Sequence, residues 1–332
     1  MKHKVCFLAL IFVLSLGLTV AWALGAQVSS GSAEAPQAEL HVCPSGCAYD
    51  NVQAAVDAAD EGDIIKVAEG TYTGVSEREG VTQTVYLNKT LTIQGGYTTS
   101  DWENPEPEGN VTTLDAQGEG RVFFIQGENT YPTIAGLHIT GGVGMSAGDV
   151  DGDGGGIYAD SGCCDGVTSL LDNHIYGNSA PSNSGGGINL QGYAYYTLTG
   201  NTFENNTAAD RGGGMNAGAN AVLTLTDNLF TGNSASKGGG LAVDYYADAN
   251  LRGNIYRDNH AESAGGGLYA YRNDVLVFDG ELFIGNSASY GGGVYFSSRA
   301  DFQYDSWMAN TLIADNQASM EGAGIYIAGG LL

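Results

Sequence analysis

The chain has 332 residues, 52 of them Gly and only 6 Pro, and its 37 acidic residues outnumber 12 basic ones for a formal net charge of −25. The glycines follow no three-residue period, which excludes collagen, and a hydrophobic content of 43% excludes a disordered chain. So acidic a balance also excludes nucleic-acid binding, which demands a basic face, and argues against an anionic membrane surface.

In chain order, Lys2, His3 and Lys4 precede an uncharged apolar run, Val5 to Ala23, and Ala21-Trp22-Ala23 offers a small-x-small cleavage site. Residues 1–26 therefore read as an export signal, although the run is long enough to serve as an uncleaved anchor. The mature protein is expected outside the cell or on its surface, and no second spanning run follows to insert it in a membrane. Residues 27–40 read as a flexible spacer. Outside the signal lie Cys43, Cys47, Cys163 and Cys164, an even count that favours disulfides in an exported chain. Cys43 and Cys47 would close a local loop and Cys163–Cys164 a strained vicinal bridge; a zinc site is the rival reading, with no His spaced to help. Apolar residues at Val52, Ala55, Val56 and Ala59 have helical spacing, with Asp50 as N-cap. Ile64–Ala68 and Val85–Ile93 read as strands, and 102–109, with Pro105 and Pro107, as a loop.

From there a repeat dominates. Gly triplets begin at Gly154, Gly185, Gly212, Gly238, Gly265 and Gly291, with the variant Gly322-Ala323-Gly324, at intervals of 31, 27, 26, 27, 26 and 31. An aliphatic residue follows each: Ile157, Ile188, Met215, Leu241, Leu268, Val294 and Ile325. Upstream of each later triplet stands an apolar-x-x-Asn unit: Ile175/Asn178, Phe203/Asn206, Phe230/Asn233, Tyr256/Asn259, Phe283/Asn286 and Ile313/Asn316. An Ala sits two residues past each of these Asn. Gly and Asn break helices and favour turns, and the segments between them alternate. Three strands and three turns in about 27 residues describe one coil of a parallel β-helix, each coil stacked on the last at about 4.8 Å. The apolar ladder then fills the interior, the asparagines form an amide ladder, and the glycines sit where a Cβ would crowd. The fold class is all-β, a single parallel β-helix with a short N-terminal capping helix: residues 41–80 the cap, 81–140 irregular first coils, 141–332 the regular repeats. No cap is visible near Gly329-Gly330-Leu331-Leu332, so the last coil is expected to continue into further chain or to meet a partner.

This repeat resembles that of the chlamydial polymorphic outer-membrane proteins, and of secreted bacterial right-handed β-helix proteins with a pectin-lyase-like fold. The stretch Val52-Gln53-Ala54-Ala55-Val56-Asp57-Ala58-Ala59, then Gly62-Asp63 and Gly70-Thr71-Tyr72, looks like the opening of such proteins, and Leu91-Thr92-Ile93-Gln94-Gly95-Gly96-Tyr97 like their first full coil. The resemblance spans 48–332 and implies a right-handed solenoid and export. It implies no activity, because the shared residues are structural. The chlamydial proteins add a C-terminal barrel that this sequence does not show, so autotransport is not carried over.

Three sets of residues could carry chemistry. Asp149, Asp151 and Asp153, followed by Gly154 and Asp160, have the alternate carboxylates and sharp turn of an oxygen-ligand calcium loop, without its usual Glu or flanking helices; the competing reading is a solvated acidic loop. Tyr158, Asn189, Asn216, Ala242, Tyr269, Tyr295 and Tyr326, each one past the repeat aliphatic, predict an outward ladder where sugars would stack on rings and bind amides, against the plainer reading that Tyr and Asn suit an exposed strand. A glycosidase needs two carboxyls about 5–10 Å apart; Asp160 and Asp244 fall three coils apart, about 14 Å, and Asp172 and Asp227 two coils apart at turn positions. Arg211, Arg252, Arg257 and Arg272 are scattered. The expected role is structural or adhesive, presenting a long face to a glycan or surface protein, with Ca²⁺ the one cofactor considered and no organic cofactor. The chain would act as a monomer or associate end to end through its open last coil. A polysaccharide lyase or glycoside hydrolase of the same fold, and a passive spacer in a longer surface protein, are the alternatives.

Overall fold

The structure, a computed structural model, describes residues 37–145, 152–272, 275–297 and 306–328, and for 162–165 the backbone alone. The described chain winds as a β-solenoid of about 10 turns with one short helix. Its strands form three sheets of 18, 9 and 6 members, and the named strands pair in parallel except where Ser76–Arg78 folds back on Val81–Leu87. A regular coil runs Leu241–Asp244, Asp248–Arg252, Ile255–Arg257 and His260–Ala264. That is one strand more than the three read from the sequence, because the largest sheet takes two strands from such a coil. The apolar-x-x-Asn unit is itself a strand, Ile255–Arg257, isolated by tight turns on both sides.

Each of those turns opens on a residue in the left-handed region and closes on a buried Asn. In one coil the openers are Asp227 (φ 54°) and Gly232 (φ 64°); in the next they are Gly253 (φ 66°) and Asp258 (φ 53°). Gly, Asn and Asp tolerate that conformation where other residues clash, which is why these types recur here. The Asn that follows repays the turn by bridging coils. Asn233 donates from Nδ2 to the Phe203 carbonyl one coil back (2.9 Å) and to Asn259 Oδ1 one coil on (3.0 Å), while its own Oδ1 accepts from Asn206 N and Nδ2 (3.0 and 3.1 Å). The same pattern runs from Asn178 to Asn316. A second ladder, not read from the sequence, lies five residues upstream: Asn173, Asn201, Asn228 and Asn254, ending on Glu281.

Inside, Phe203, Phe230, Tyr256 and Phe283 stack with ring centroids 4.4, 5.0 and 4.5 Å apart. The aliphatic ladder holds register from Ile157 through Ile188, Met215, Leu241, Leu268 and Val294 to Ile325. The triplet corner has no room for side chains. A Cβ on Gly238, itself at φ 63°, would stand 2.5 Å from the Leu241 carbonyl oxygen, and one on Gly240 would stand 2.7 Å from that of Gly267 in the next coil.

At the N-terminal end the helix Val52–Ala58 buries Val52, Ala55 and Val56 against the first coil. Its N-cap is Asn51 rather than Asp50: Asn51 Oδ1 accepts from Ala54 N at 2.8 Å, and Asp50 accepts only from the Asn51 side chain. Lys89 Nζ closes the other end on the carbonyls of Val56 and Ala59. The segment read as one strand over 85–93 is two, Val81–Leu87 and Thr92–Tyr97, because this turn intervenes. A disulfide joins Cys43 and Cys47 with a Cα separation of 5.6 Å. The side chains of Cys163 and Cys164 lie outside the description. In the coil of residues 306–328 the ladder positions are open: Ile325 is 38% exposed where Val294, one coil earlier, is 1%.

Removing one ladder amide strands buried partners in both neighbouring coils, a cost larger than a single neutral hydrogen bond. Asn233→Ala should therefore destabilise the protein by about 3 kcal/mol or more in urea unfolding. Asn250→Ala, on the outside of a strand, should change it by less than about 0.5 kcal/mol.

Candidate functional site

The outward stripe forms as a ladder. Tyr158, Asn189, Asn216, Ala242, Tyr269, Tyr295 and Tyr326 are consecutive register partners, and the stripe extends back through Phe124 and Tyr86. Its rings, however, are spent on each other. Tyr269 and Tyr295 stack at 5.1 Å, Tyr295 and Tyr326 at 5.5 Å, and Tyr269 is only 6% exposed within a small cluster with Ala242 and Ala264. A sugar approaching this wall would meet ring edges, because coil spacing matches ring-stacking distance and the faces are already paired.

Between the two aromatic runs the stripe becomes polar and buried. Asn216 Nδ2 donates to Asn189 Oδ1 at 2.7 Å, leaving Asn189 Nδ2 and Asn216 Oδ1 buried without partners. Beside them Arg211 joins two carboxylates: Nη1 lies 2.7 Å from Asp210 Oδ2, and Nε lies 2.9 Å from Asp244 Oδ2, an ion-pair distance off the line of a hydrogen bond. Burial pushes the Asp244 carboxyl up to about 7 against the opposing pull of Arg211. The sequence reading paired Asp244 with Asp160; the structure keeps these three coils apart and brings Asp244 to Asp210 instead, through a shared guanidinium. No motif announces this, since Asp210 and Arg211 enter one Gly-triplet corner while Asp244 ends a strand in the next coil.

Apart from Trp307 in the coil of residues 306–328, the exposed aromatics among the described residues lie at the corner joining the two strand sets of the largest sheet. There the long strands Ile157–Leu171 and Ile188–Thr199 pair with two register shifts. Tyr193 (66% exposed), Tyr195, its register partner Val167, and Tyr245 two coils on are all open to solvent. Tyr245 lies under the Arg211 guanidinium at 5.3 Å, linking the corner to the polar patch. The intervening coil offers only Gly218, Ala219 and Asn220. The sequence signal was available, as Tyr193-Ala194-Tyr195-Tyr196 breaks the repeat, but burial alone distinguishes these tyrosines from buried Tyr196.

The calcium reading is placed only in part. Asp149 and Asp151 lie outside the described residues. Asp153 is buried with Oδ1 accepting from Ser184 N at 2.9 Å, and the buried Arg121 guanidinium donates to the Asp153 backbone carbonyl at 2.8 Å. Asp160 is half-buried, and burial raises its carboxyl. Among the described residues no three His, Cys, Asp or Glu side chains are disposed to hold a metal ion. Asp172 and Asp227 both adopt left-handed turn backbone, at φ 52° and 54°. His138 and His174, isolated in sequence, meet edge-on at 5.0 Å on adjacent coils, with His174 Nε2 2.9 Å from Glu204.

With this geometry the comparisons give one identification. Residues 122–313, more than half the chain, match the family described as a right-handed β-helix region, and the protein belongs to that family. The match covers the regular coils and fixes the solenoid's hand. Neither a curated protein nor a solved structure gives a significant match.

Asp244 gives the site a testable pH signature. Its carboxyl is held above its ordinary value of 3.8, so the folded state binds its proton more tightly than the unfolded chain does. This contribution to stability is full below about pH 4, is lost as pH rises toward 7, and is flat above. Urea unfolding between pH 4.5 and 7.5 should show a smaller loss in Asp244→Asn than in the parent, and equal slopes would contradict the assignment.

Proposed function

We propose that the protein is an exported solenoid with a structural and adhesive role, engaging a surface glycan through the corner that carries Tyr193, Tyr195 and Tyr245. The observation that carries this reading is the exposure of those rings, with Val167, beside the half-buried side chains of Arg211 and Asp210, which meet the corner at Tyr245. Large aromatic groups left in water are costly on a wall that buries its other rings, and open rings next to hydrogen-bonding side chains suit a sugar's apolar face and hydroxyls. The basic start and apolar run at residues 1–26 support export.

One further observation favours a second reading. Asp210 and Asp244 hold the same guanidinium, and they differ in environment, Asp210 half-buried and Asp244 buried with its carboxyl raised to about 7. A pair of carboxyls in one site, one of them kept protonated toward neutral pH by burial, is what a glycoside hydrolase uses, so polysaccharide cleavage is the alternative.

A glycan array followed by calorimetry on the best binder separates the two. Adhesion through the corner predicts that the double substitution Tyr193→Ala, Tyr195→Ala weakens binding at least about fivefold, the loss of two stacking contacts at roughly 0.5–1.5 kcal/mol each, while no product accumulates. New reducing ends or unsaturated uronates that vanish in Asp244→Asn would replace it with the enzymatic reading. Absence of binding across neutral and acidic glycans would remove the glycan as the ligand.

A further inference from the structure

The upstream amide ladder contains one residue that breaks its rule. Each Asn in it makes the same bonds: Nδ2 donates to a carbonyl one coil back and to the side-chain oxygen of the next ladder residue, an Asn for Asn173, Asn201 and Asn228. Those carbonyls are Ile134 for Asn173, Leu170 for Asn201, Leu198 for Asn228 and Leu225 for Asn254, at 2.8–3.0 Å. They are mutual register partners, and the next partner in the series is Leu251. The next ladder residue is Glu281, fully buried. Its Oε1 fills the acceptor role, taking Asn254 N at 3.2 Å and Asn254 Nδ2 at 3.3 Å. Its Oε2 is buried and has no partner, and the series leaves the donor's role toward the Leu251 carbonyl to that oxygen. As a carboxylate, Glu281 would turn a lone pair toward the carbonyl of Leu251, and two acceptors would face each other in a dry interior.

We propose that Glu281 enters the fold as a neutral carboxylic acid, its Oε2–H donating to the carbonyl of Leu251 in place of the missing amide, so that one proton locks the coils on either side of residue 281. Protonated, the side chain has the donor-acceptor pair of an amide and the ladder is continuous. Ionised, it loses the donor and leaves a buried charge that no ion pair among the described residues offsets. The groups whose charge bears on it are Asp279 and Asp227, which disfavour ionisation, and the fully buried hydroxyl of Tyr256. Asn254 is its hydrogen-bond partner and favours ionisation, but burial dominates and carries the carboxyl up to about 8. The linkage has a definite sign. The folded-state value lies above the ordinary glutamate value of 4.5, so this contribution to stability is complete below about pH 4.5, falls as pH rises toward 8, and is lost above. The lock therefore weakens on the alkaline side, at the coils on either side of residue 281.

The test uses the full chain with Glu281→Gln and Glu281→Asn, which supply a permanent amide. Thermal unfolding from pH 5 to 9.5 should show the parent's melting temperature falling several degrees more than that of either variant, with the curves diverging as pH rises. Infrared difference spectra of parent minus Glu281→Gln at pH 6 should show a protonated carboxyl band that disappears by pH 9.5. Parallel pH profiles with no such band would overturn the proposal. A parent stabilised by sodium at pH 6, where the Gln variant is not, would overturn it too, by showing an ionised Glu281 neutralised by a bound cation. The infrared measurement on the parent keeps the proposal falsifiable if a variant fails to fold.

Discussion

Register between coils is the constraint on which everything else in this protein depends, and buried asparagine amides are what enforce it. A parallel coil has no hairpin to fix its alignment, and backbone bonds alone would tolerate a slip that moves inward side chains outward. An Asn at the end of a tight turn removes that freedom. Its amide reaches one coil back and one coil forward, so a slip would strand several buried polar groups together. With register fixed, like residues fall on like, and rings stack inside because a coil rise of about 4.8 Å is also a stacking distance.

Composition follows from that constraint. Glycine is abundant because the triplet corner packs backbone on backbone: Gly240 has the carbonyl of Gly267 where its side chain would be. Gly, Asp or Asn stands before each ladder residue because that position is left-handed. The acidity is mostly a property of the outer wall; among the buried carboxyls of the described residues, Asp244 and Glu281 are the two whose protonation is most strongly altered.

The repeat made the coil legible from sequence. The aliphatic after each triplet, the Phe203-to-Phe283 ring ladder and the Asn178-to-Asn316 amides needed only phase to be placed inside. The second amide ladder was missed although Asn173, Asn201, Asn228 and Asn254 keep a fixed five-residue lead over the first and each follows a Leu by three residues, because its asparagines stand farther from the Gly triplets that set the phase and the series ends on Glu281. The site was less legible. Phase put Tyr269 and Tyr295 on the outer wall but could not say that their faces pair with each other. Tyr193 and Tyr195 fall where the coil departs from its repeat, which periodicity cannot describe. Asp210, Arg211 and Asp244 come together only because neighbouring coils are adjacent in space, and composition gives no sign of which outward groups meet.

The central claim is that the asparagine amides of successive coils are buried and bonded to one another. Side-chain amide hydrogen exchange, followed by NMR on the intact protein, reads this directly. The Nδ2 protons of Asn201, Asn206, Asn228 and Asn233 should exchange as slowly as the backbone amides of Leu225 and Phe230. Exchange of those side chains at the rate of an exposed amide, with the backbone still protected, would contradict the account.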